Sequence, residues 1–268
     1  MNTISMLILP LAACLMMTII LCYLGLHVIK REVIFIDIAV AQVAALGAII
    51  AHMQFHVHGD SPQALACAIG ATLLMAIFFA TVRRHITQLP IEATIGITYA
   101  LVAAGAFFMI GKSSSGHTHI QEMLSGSLLW VDATALRQSA VAFLLAGAGF
   151  FIFRRPFQDI SDNYEAAVKK GSAVILWDFL FYALCGIVIT FAVRLAGVVV
   201  VFCFLIIPAT LSALFADRWS MRLMIACGAG ALASVAGLFF SQRFDFSAGV
   251  SVALFLGVLL VVCAIFRK

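Results

Sequence analysis

Long runs of hydrophobic residues fill this chain, and short polar segments separate them at regular intervals. A run of about 20 apolar residues is long enough to cross a bilayer as a helix. The pattern predicts an all-α polytopic bundle of about eight or nine membrane-spanning helices. We place them near 5–29, 33–54, 63–82, 91–110, 138–153, 173–194, 195–216, 222–241 and 247–266. The first run is too long for the core of a signal peptide and is therefore interpreted as a span.

The composition agrees with a membrane protein. Of the 268 residues, 64% are hydrophobic and 10% are charged, which excludes an ordinary soluble domain. No segment is polar enough to form a separate soluble domain. We therefore expect one membrane domain over residues 1–268.

The basic residues predict the orientation. With the amino terminus outside, twelve Lys and Arg residues fall in inside segments and four fall outside. Basic residues near helix ends resist translocation, so this bias places the carboxyl terminus and the segment 154–172 in the cytoplasm. The net charge of +4 reflects this topology and gives no reason to invoke nucleic acid.

One polar stretch, SDNYEAAVKKG at 161–171, stands out among the inside segments. Asp162 or Asn163 can cap a short helix, Glu165 suits its positive end, and Gly171 can end it. The small residues Ala166 and Ala167 would let a partner approach closely. The stretch is predicted to be a docking helix for a cytoplasmic partner, with an ordinary amphipathic surface helix as the alternative.

Other strings give this helix a context. REVIFIDIAVAQVAALGAIIA, IEATIGITYALVAAGAFFMIG, EMLSGSLLWV, GVVVVFCFLIIPA and SAGVSVALFLGVLLVV resemble, in order and spacing, the permeases of the zinc/manganese importer family of bacterial ABC transporters. The resemblance implies a homodimeric or paired permease, two cytoplasmic ATPases and an external metal-binding protein. It also implies a coupling helix with Asp, Ala and Gly four residues apart, and Asn163, Ala167 and Gly171 occupy those places. With Glu165, these residues are the candidate ATPase-coupling set.

The second predicted span departs from the family. The resemblance implies an Asp and a His four residues apart, but Ile38 and Gln42 stand at the matching places. Gln42 offers one neutral oxygen and cannot replace a carboxylate and an imidazole. Asp37 lies one residue earlier, about 100° round the helix, and is a candidate metal ligand only if the local frame differs. Either the pathway holds its ion weakly, or the cargo is not a bare zinc or manganese ion.

Further polar residues lie within the predicted spans. Thr94 and Thr98 are one helical turn apart and are candidate pathway residues, although threonine commonly bonds its own helix backbone. Pro208 removes a backbone donor near the middle of its span and is the candidate gate residue. The acidic residues near the cytoplasmic ends are expected to snorkel or to pair with neighbouring Lys and Arg. These are Asp37, Glu92 and Asp178.

Two outside segments carry histidines. His117, His119 and Glu122 form a candidate metal-collecting group, because imidazole suits zinc and related metals. The segment 52–60 has a similar but weaker pattern. Ordinary interfacial histidines are the alternative for both.

Catalytic motifs are missing from the sequence. Without a Gly-rich phosphate loop, ATP would be hydrolysed by a separate chain, so the chain is interpreted as a transport subunit and not an enzyme. We expect an importer permease of a bacterial inner membrane that works by alternating access, without a permanently bound cofactor. Zinc is the first expected cargo, followed by manganese or iron. The alternatives are a metal-chelate or cobalamin-type importer permease and a stand-alone channel or secondary carrier.

Overall fold

A computed structural model describes residues 3–56, 61–86, 88–110, 128–169 and 173–266. Within them the regular elements are eleven α-helices and one short 3₁₀ turn, Leu128–Trp130. The helices are α1 Thr3–Lys30, α2 Ile36–Phe55, α3 Pro62–His85, α4 Ile91–Ile110, α5 Ala133–Ile152, α6 Arg154–Asp162, α7 Tyr164–Lys169, α8 Val174–Ala196, α9 Val198–Phe215, α10 Trp219–Phe244 and α11 Ala248–Phe266.

Nine of the described helices, all except α6 and α7, are long and apolar enough to cross a membrane. The predicted all-α membrane bundle is therefore confirmed. The largest difference is at α5, which begins at Ala133 instead of near 138. Its earlier start follows from Asp132, whose carboxylate accepts the Thr134 N–H at 3.2 Å and so caps the first turn.

The chain divides into two compact units, and the prediction of a single domain stays a prediction. The first unit comprises Met1–Ile29, Leu124–Leu145 and Phe191–Lys268. Within it α9, α10 and α11 pack against one another. A Cβ on Gly230 would lie 2.6 Å from the Thr18 methyl group, and one on Gly237 would lie 2.6 Å from the Val252 Cα. Small residues therefore allow close helix packing here.

The second unit comprises Lys30–Met123 and Ala146–Thr190. Helices α2, α3 and α4 pack together within it. The contact between α2 and α3 is made by small side chains, since Ala48, Ala51 and Ala64 form one buried cluster. This unit also holds α6, α7 and the first part of α8, which build the candidate site described next.

Candidate functional site

Two short helices stand where one helix was expected near 161–171. Helix α6 ends at Asp162, and α7 begins at Tyr164. Asn163 between them has an extended backbone, with φ −154° and ψ 95°. Its side-chain oxygen accepts the Ala166 N–H at 2.9 Å. The amide therefore caps α7, which confirms the capping role expected of Asn163.

Alanine 167 does not present a free surface. It is 6% exposed and packs with Ile160 and Val174 in a small apolar cluster. The Ala167 side chain thus seats α7 on the rest of the second unit, and it also lines the cleft between α6 and α7. Its role in letting a partner approach closely stays a prediction. Glu165 is exposed in the first turn of α7. Gly171 lies outside the described residues.

An aromatic cluster supports α6. Phe157 is fully buried, and its ring lies 5.5 Å from that of Phe150, 6.1 Å from Trp177 and 5.8 Å from Phe181 between centroids. Such edge and tilted pairs add to the energy of burial. The opposite face of α6 carries Arg155 and Asp159, which are exposed. Helix α6 is therefore amphipathic and firmly attached by its apolar face.

A buried ion pair joins the end of α1 to α8, and a hydrogen bond from the same arginine reaches α6. Arg31 follows α1, and one of its guanidinium nitrogens lies 2.7 Å from an oxygen of Asp178 in α8. Both side chains are 0% exposed. The Arg31 Nε donates to the Ser161 hydroxyl of α6 at 2.8 Å, and the guanidinium lies 3.9 Å from the Phe181 ring centre. One arginine thus contacts two helices through charge, hydrogen bond and ring face.

A second arginine reaches the same aspartate. Arg83, near the end of α3, lies 3.7 Å from Asp178 and donates to the Tyr182 hydroxyl at 3.3 Å. Its guanidinium also lies 4.3 Å from the centre of the Tyr164 ring, at the start of α7. We call Arg31, Arg83 and Asp178 the arginine–aspartate joint. It holds α3, α6, α7 and α8 together within the second unit.

Burial affects the ionisable groups of this region that lie outside the spans. It lowers the pKa of Arg31, while the nearby Asp178 acts in the opposite direction. It also raises the pKa of the Tyr164 phenol. A guanidinium starts from so high a pKa that Arg31 stays charged, so Asp178 faces two cations. At the rim of the joint, Lys30 and Asp162 form a more exposed ion pair.

A cleft of about 270 Å³ opens between α6 and α7. We call the two helices and the bend at Asn163 between them the α6–α7 elbow. Asp159, Asp162 and Asn163 of this elbow form the polar part of the cleft lining. Ala166 and Trp177 provide apolar walls. The elbow therefore presents a shaped surface with both charge and apolar area, supported from behind by the arginine–aspartate joint.

A different acidic site lies at the starts of α2 and α4. Asp37 is 1% exposed, and within the described residues neither of its carboxylate oxygens has a hydrogen-bond partner. Glu92 extends to the start of α2, where its Oε1 accepts the Phe35 N–H at 3.0 Å. The second oxygen of Glu92 is buried and likewise has no partner in the described part of the chain. The expectation was snorkelling or pairing with neighbouring Lys and Arg. Asp178 pairs with both arginines of the joint, whereas Asp37 is buried and has no such partner among the described residues.

The other candidate pathway residues lie at separate places. Gln42 is half-buried in α2. In α4 the Thr98 hydroxyl donates to the Thr94 carbonyl at 2.8 Å, which is the backbone bond anticipated as the alternative. Pro208 is buried inside α9, in the first unit, where it cannot donate to the Phe204 carbonyl. Their assignment to a pathway stays a prediction.

The predicted metal-collecting group falls outside the described residues. His117, His119 and Glu122 all belong to it. Within the residues that the structure describes, no group of three or more His, Cys, Asp or Glu side chains could hold a metal ion.

Sequence reasoning missed most of the joint. Arg31 and Arg83 were assigned only as positive-inside charges, and Ser161 and Tyr182 were not singled out. The available signal was the position of two arginines at predicted span ends near a buried acid, but nothing in the sequence shows which acid they meet. Glu92 was noted as an intramembrane acid without a link to Asp37.

Comparison with known proteins gives the family. The model of the ABC 3 transport family matches residues 3–267. The manganese transport system membrane protein MntC of Halalkalibacterium halodurans is 26% identical over 251 residues, covering 91% of this chain and 81% of that protein. The chelated iron transport system membrane protein YfeC of Yersinia pestis is 23% identical over 178 residues, covering 66% and 60%.

A solved structure shows the same fold. PsaBC from Streptococcus pneumoniae, in complex with Fab, superposes with a TM-score of 0.78 over 98% of this chain and 92% of that chain, at 23% identity. The resemblance to metal-ion importer permeases is confirmed by these matches. The chain belongs to the ABC 3 transport family, as a multi-pass permease subunit of the bacterial inner membrane.

Proposed function

We propose that this permease imports a divalent metal ion, using ATP hydrolysed by a separate subunit. The family match over residues 3–267 carries the proposal. A periplasmic binding protein delivers the ion, and a second permease copy completes the pathway. Import proceeds by alternating access between outward-open and inward-open states, so the binding of ATP and of cargo must bias one conformational equilibrium.

The α6–α7 elbow is the proposed docking element for the ATPase. Its exposed face carries Asp159, Glu165 and the polar wall of the cleft, while its buried face rests on the aromatic cluster and the arginine–aspartate joint. A surface that must transmit a push needs a stiff support. The buried ion pairs and ring contacts supply that stiffness to α3 and α8 within the second unit.

Manganese is the first proposed cargo and zinc the second. This order reverses the expectation from the sequence, because the names of the relatives specify manganese or chelated iron.

Reconstitution tests the proposal. The permease, the ATPase and the binding protein encoded beside it are placed in proteoliposomes, and uptake of radioactive Mn²⁺ and Zn²⁺ is measured with and without ATP. ATP-dependent Mn²⁺ uptake supports the function. Equal uptake without ATP would indicate a channel or secondary carrier instead.

Docking is tested separately by charge reversal. Glu165→Arg should weaken copurification of the ATPase, because the substitution lies on the exposed face of α7. Arg137→Glu, on an exposed position of α5 that is predicted to be outside, is the matched control. Unchanged copurification in the Glu165 variant would argue that the elbow is only a solvated surface.

A second candidate is import of a chelated metal. The relative YfeC is named as part of a chelated iron system. A chelate brings its own ligands and would tolerate a pathway with weak ones. Competition of the uptake assay by iron chelates, without competition by free Mn²⁺, would favour this candidate.

A further inference from the structure

The starts of α2 and α4 each carry a carboxylate, and a hydrogen bond between Glu92 and the Phe35 N–H links the two helix starts. Asp37 is the second residue of α2, and Glu92 is the second residue of α4. These helices pack against each other within the second unit. The hydrogen bond from the Phe35 N–H, at 3.0 Å, fixes the Glu92 carboxylate at the start of α2, two residues before Asp37 in the chain.

Three carboxylate oxygens at these helix starts have no hydrogen-bond partner in the part of the chain that the structure describes. They are both oxygens of Asp37 and the Oε2 of Glu92, and all three are buried. The N–H groups of Asp37 and Ile38 lie near the Asp37 carboxylate, but they do not meet hydrogen-bond geometry. In the described part of the chain, the cations that form ion pairs are paired with other residues. Lys30 pairs with Asp162, and Arg31 and Arg83 both pair with Asp178.

Physical chemistry limits what can satisfy such a group. An isolated buried carboxylate is costly, and a second carboxylate beside it raises the cost by repulsion. A divalent cation removes both penalties at once by binding oxygens of the two side chains. Carboxylate oxygens together with water suit Mn²⁺ and Mg²⁺, whereas thiolate and imidazole suit softer ions.

We propose that Asp37 and Glu92 form a binding site for a hard divalent cation of the Mn²⁺ type at the end of α2 and α4 that the charge distribution predicts to be cytoplasmic. In transport, the site would hold the metal ion before its release into the cytoplasm, and this role rests on the proposed function. Its two ligands come from two helices. Neither is Ile38 or Gln42, the residues that stand where the family resemblance implies an Asp and a His. The binding itself does not require transport.

Direct binding of Mn²⁺ to the purified full-length permease in nanodiscs tests the site. The probe is the electron paramagnetic resonance signal of free aqueous Mn²⁺, which is lost when the ion binds. Asp37→Asn and Glu92→Gln should each weaken one Mn²⁺ site by at least about tenfold, because removing even an outer-shell partner commonly costs that much. Glu92→Gln keeps an oxygen that can accept the Phe35 N–H, so the local fold is maintained.

Asp217→Asn is the matched control, since Asp217 is exposed and lies in another loop. Its Mn²⁺ affinity should equal that of the unsubstituted protein. Infrared difference spectra of the same samples, recorded with and without Mn²⁺, should show a shift of ionised carboxylate bands that is lost in both site variants. If Asp37→Asn does not fold, Glu92→Gln alone decides the result.

Two results would overturn the site. One is Mn²⁺ binding that is unchanged in the Asp37 and Glu92 variants. The other is an infrared band of a protonated carboxyl group that persists in saturating Mn²⁺ and disappears in the variants, because the pair would then share a proton. An uptake assay on the unsubstituted protein separates the two proposals. If that protein binds Mn²⁺ at the site but shows no ATP-driven uptake, the proposed function is refuted and the site stands.

Discussion

Two regions of the second unit bury acidic side chains near helix starts, and their surroundings differ. Asp178 in α8 faces two guanidinium groups, at 2.7 Å from Arg31 and 3.7 Å from Arg83. Asp37 in α2 is equally inaccessible, yet the side chain that hydrogen-bonds to the start of the same helix belongs to another acid, Glu92. The first carboxylate is compensated within the described part of the protein, and the second is not.

With the proposed metal site, this difference separates a structural charge at Asp178 from a functional one at Asp37. A buried ion pair loses its value when one partner is removed, because an uncompensated charge remains in the interior. Removal of an already uncompensated charge has the opposite sign, since the interior is relieved of a desolvated group. Stability measurements on the two aspartates should therefore diverge, and so should measurements of function.

The largest expected effect on stability is that of Asp178→Asn. Arg31 would stay buried and charged without its counterion, at a cost of about 3–5 kcal/mol in the free energy of unfolding. We expect a lower temperature of thermal inactivation in detergent and loss of coupled transport. Asp217→Asn is the exposed control. A variant as heat-resistant as that control would mean that the joint does not hold the helices together.

Asp37→Asn should give the opposite pattern. Its thermal stability should equal or exceed that of the unsubstituted protein. Among the described residues no Lys or Arg forms an ion pair with Asp37, so the substitution removes a buried charge without leaving a cation unpaired. Transport of Mn²⁺ should nevertheless fall by at least about tenfold, by the loss of a metal ligand. Thermal inactivation and proteoliposome uptake are measured on the same preparation. A loss of stability as large as that of Asp178→Asn would reveal a protein counter-charge and break the comparison.

A smaller change within the joint is Ser161→Ala. It removes the hydroxyl that accepts the Arg31 Nε hydrogen bond at 2.8 Å, and hydrogen bonds to charged groups contribute roughly 1.5–3 kcal/mol. The ion pair itself remains, so we expect a modest drop in the inactivation temperature and a weaker ATPase response to the binding protein. Ser251→Ala is the control, because that hydroxyl donates to its own helix at the Ser247 carbonyl. Equal behaviour of the two variants would remove Ser161 from the joint.

The smallest effect is expected for Gln42→Ala. Gln42 is a neutral, half-buried amide five residues after Asp37, so its loss should reduce Mn²⁺ uptake only a few-fold. The ATP-driven uptake assay measures this directly. Abolished uptake in a folded variant would show that the pathway depends on the amide more than on the Asp37 and Glu92 carboxylates.

Local rules predicted the coupling region only in part. Asn163 was expected to cap a helix, and it does so by accepting the Ala166 N–H. The prediction of one helix near 161–171 missed α6. Only Phe153 separates the end of α5 from the start of α6, so no polar loop marks the boundary between the two helices. The burial of Ala167 against Ile160 and Val174 was not predicted, since a short alanine-rich helix has no sequence pattern that fixes which face is buried.

The sequence by itself determined the membrane class, a count of about eight or nine spans and the position of the polar elbow, because hydrophobicity acts over each run of about 20 residues independently. Only the tertiary structure decided which buried charges are paired. Arg31 and Asp178 are separated by 147 positions along the chain, yet they meet at 2.7 Å. Pairing at such separation depends on how helices pack, and each predicted span end offered several acids and bases of similar local character. The physical reason is the low dielectric of the interior, where a difference of a few ångströms in the distance to a cation decides whether a carboxylate is compensated. Asp178 has such a cation, and among the described residues Asp37 has none.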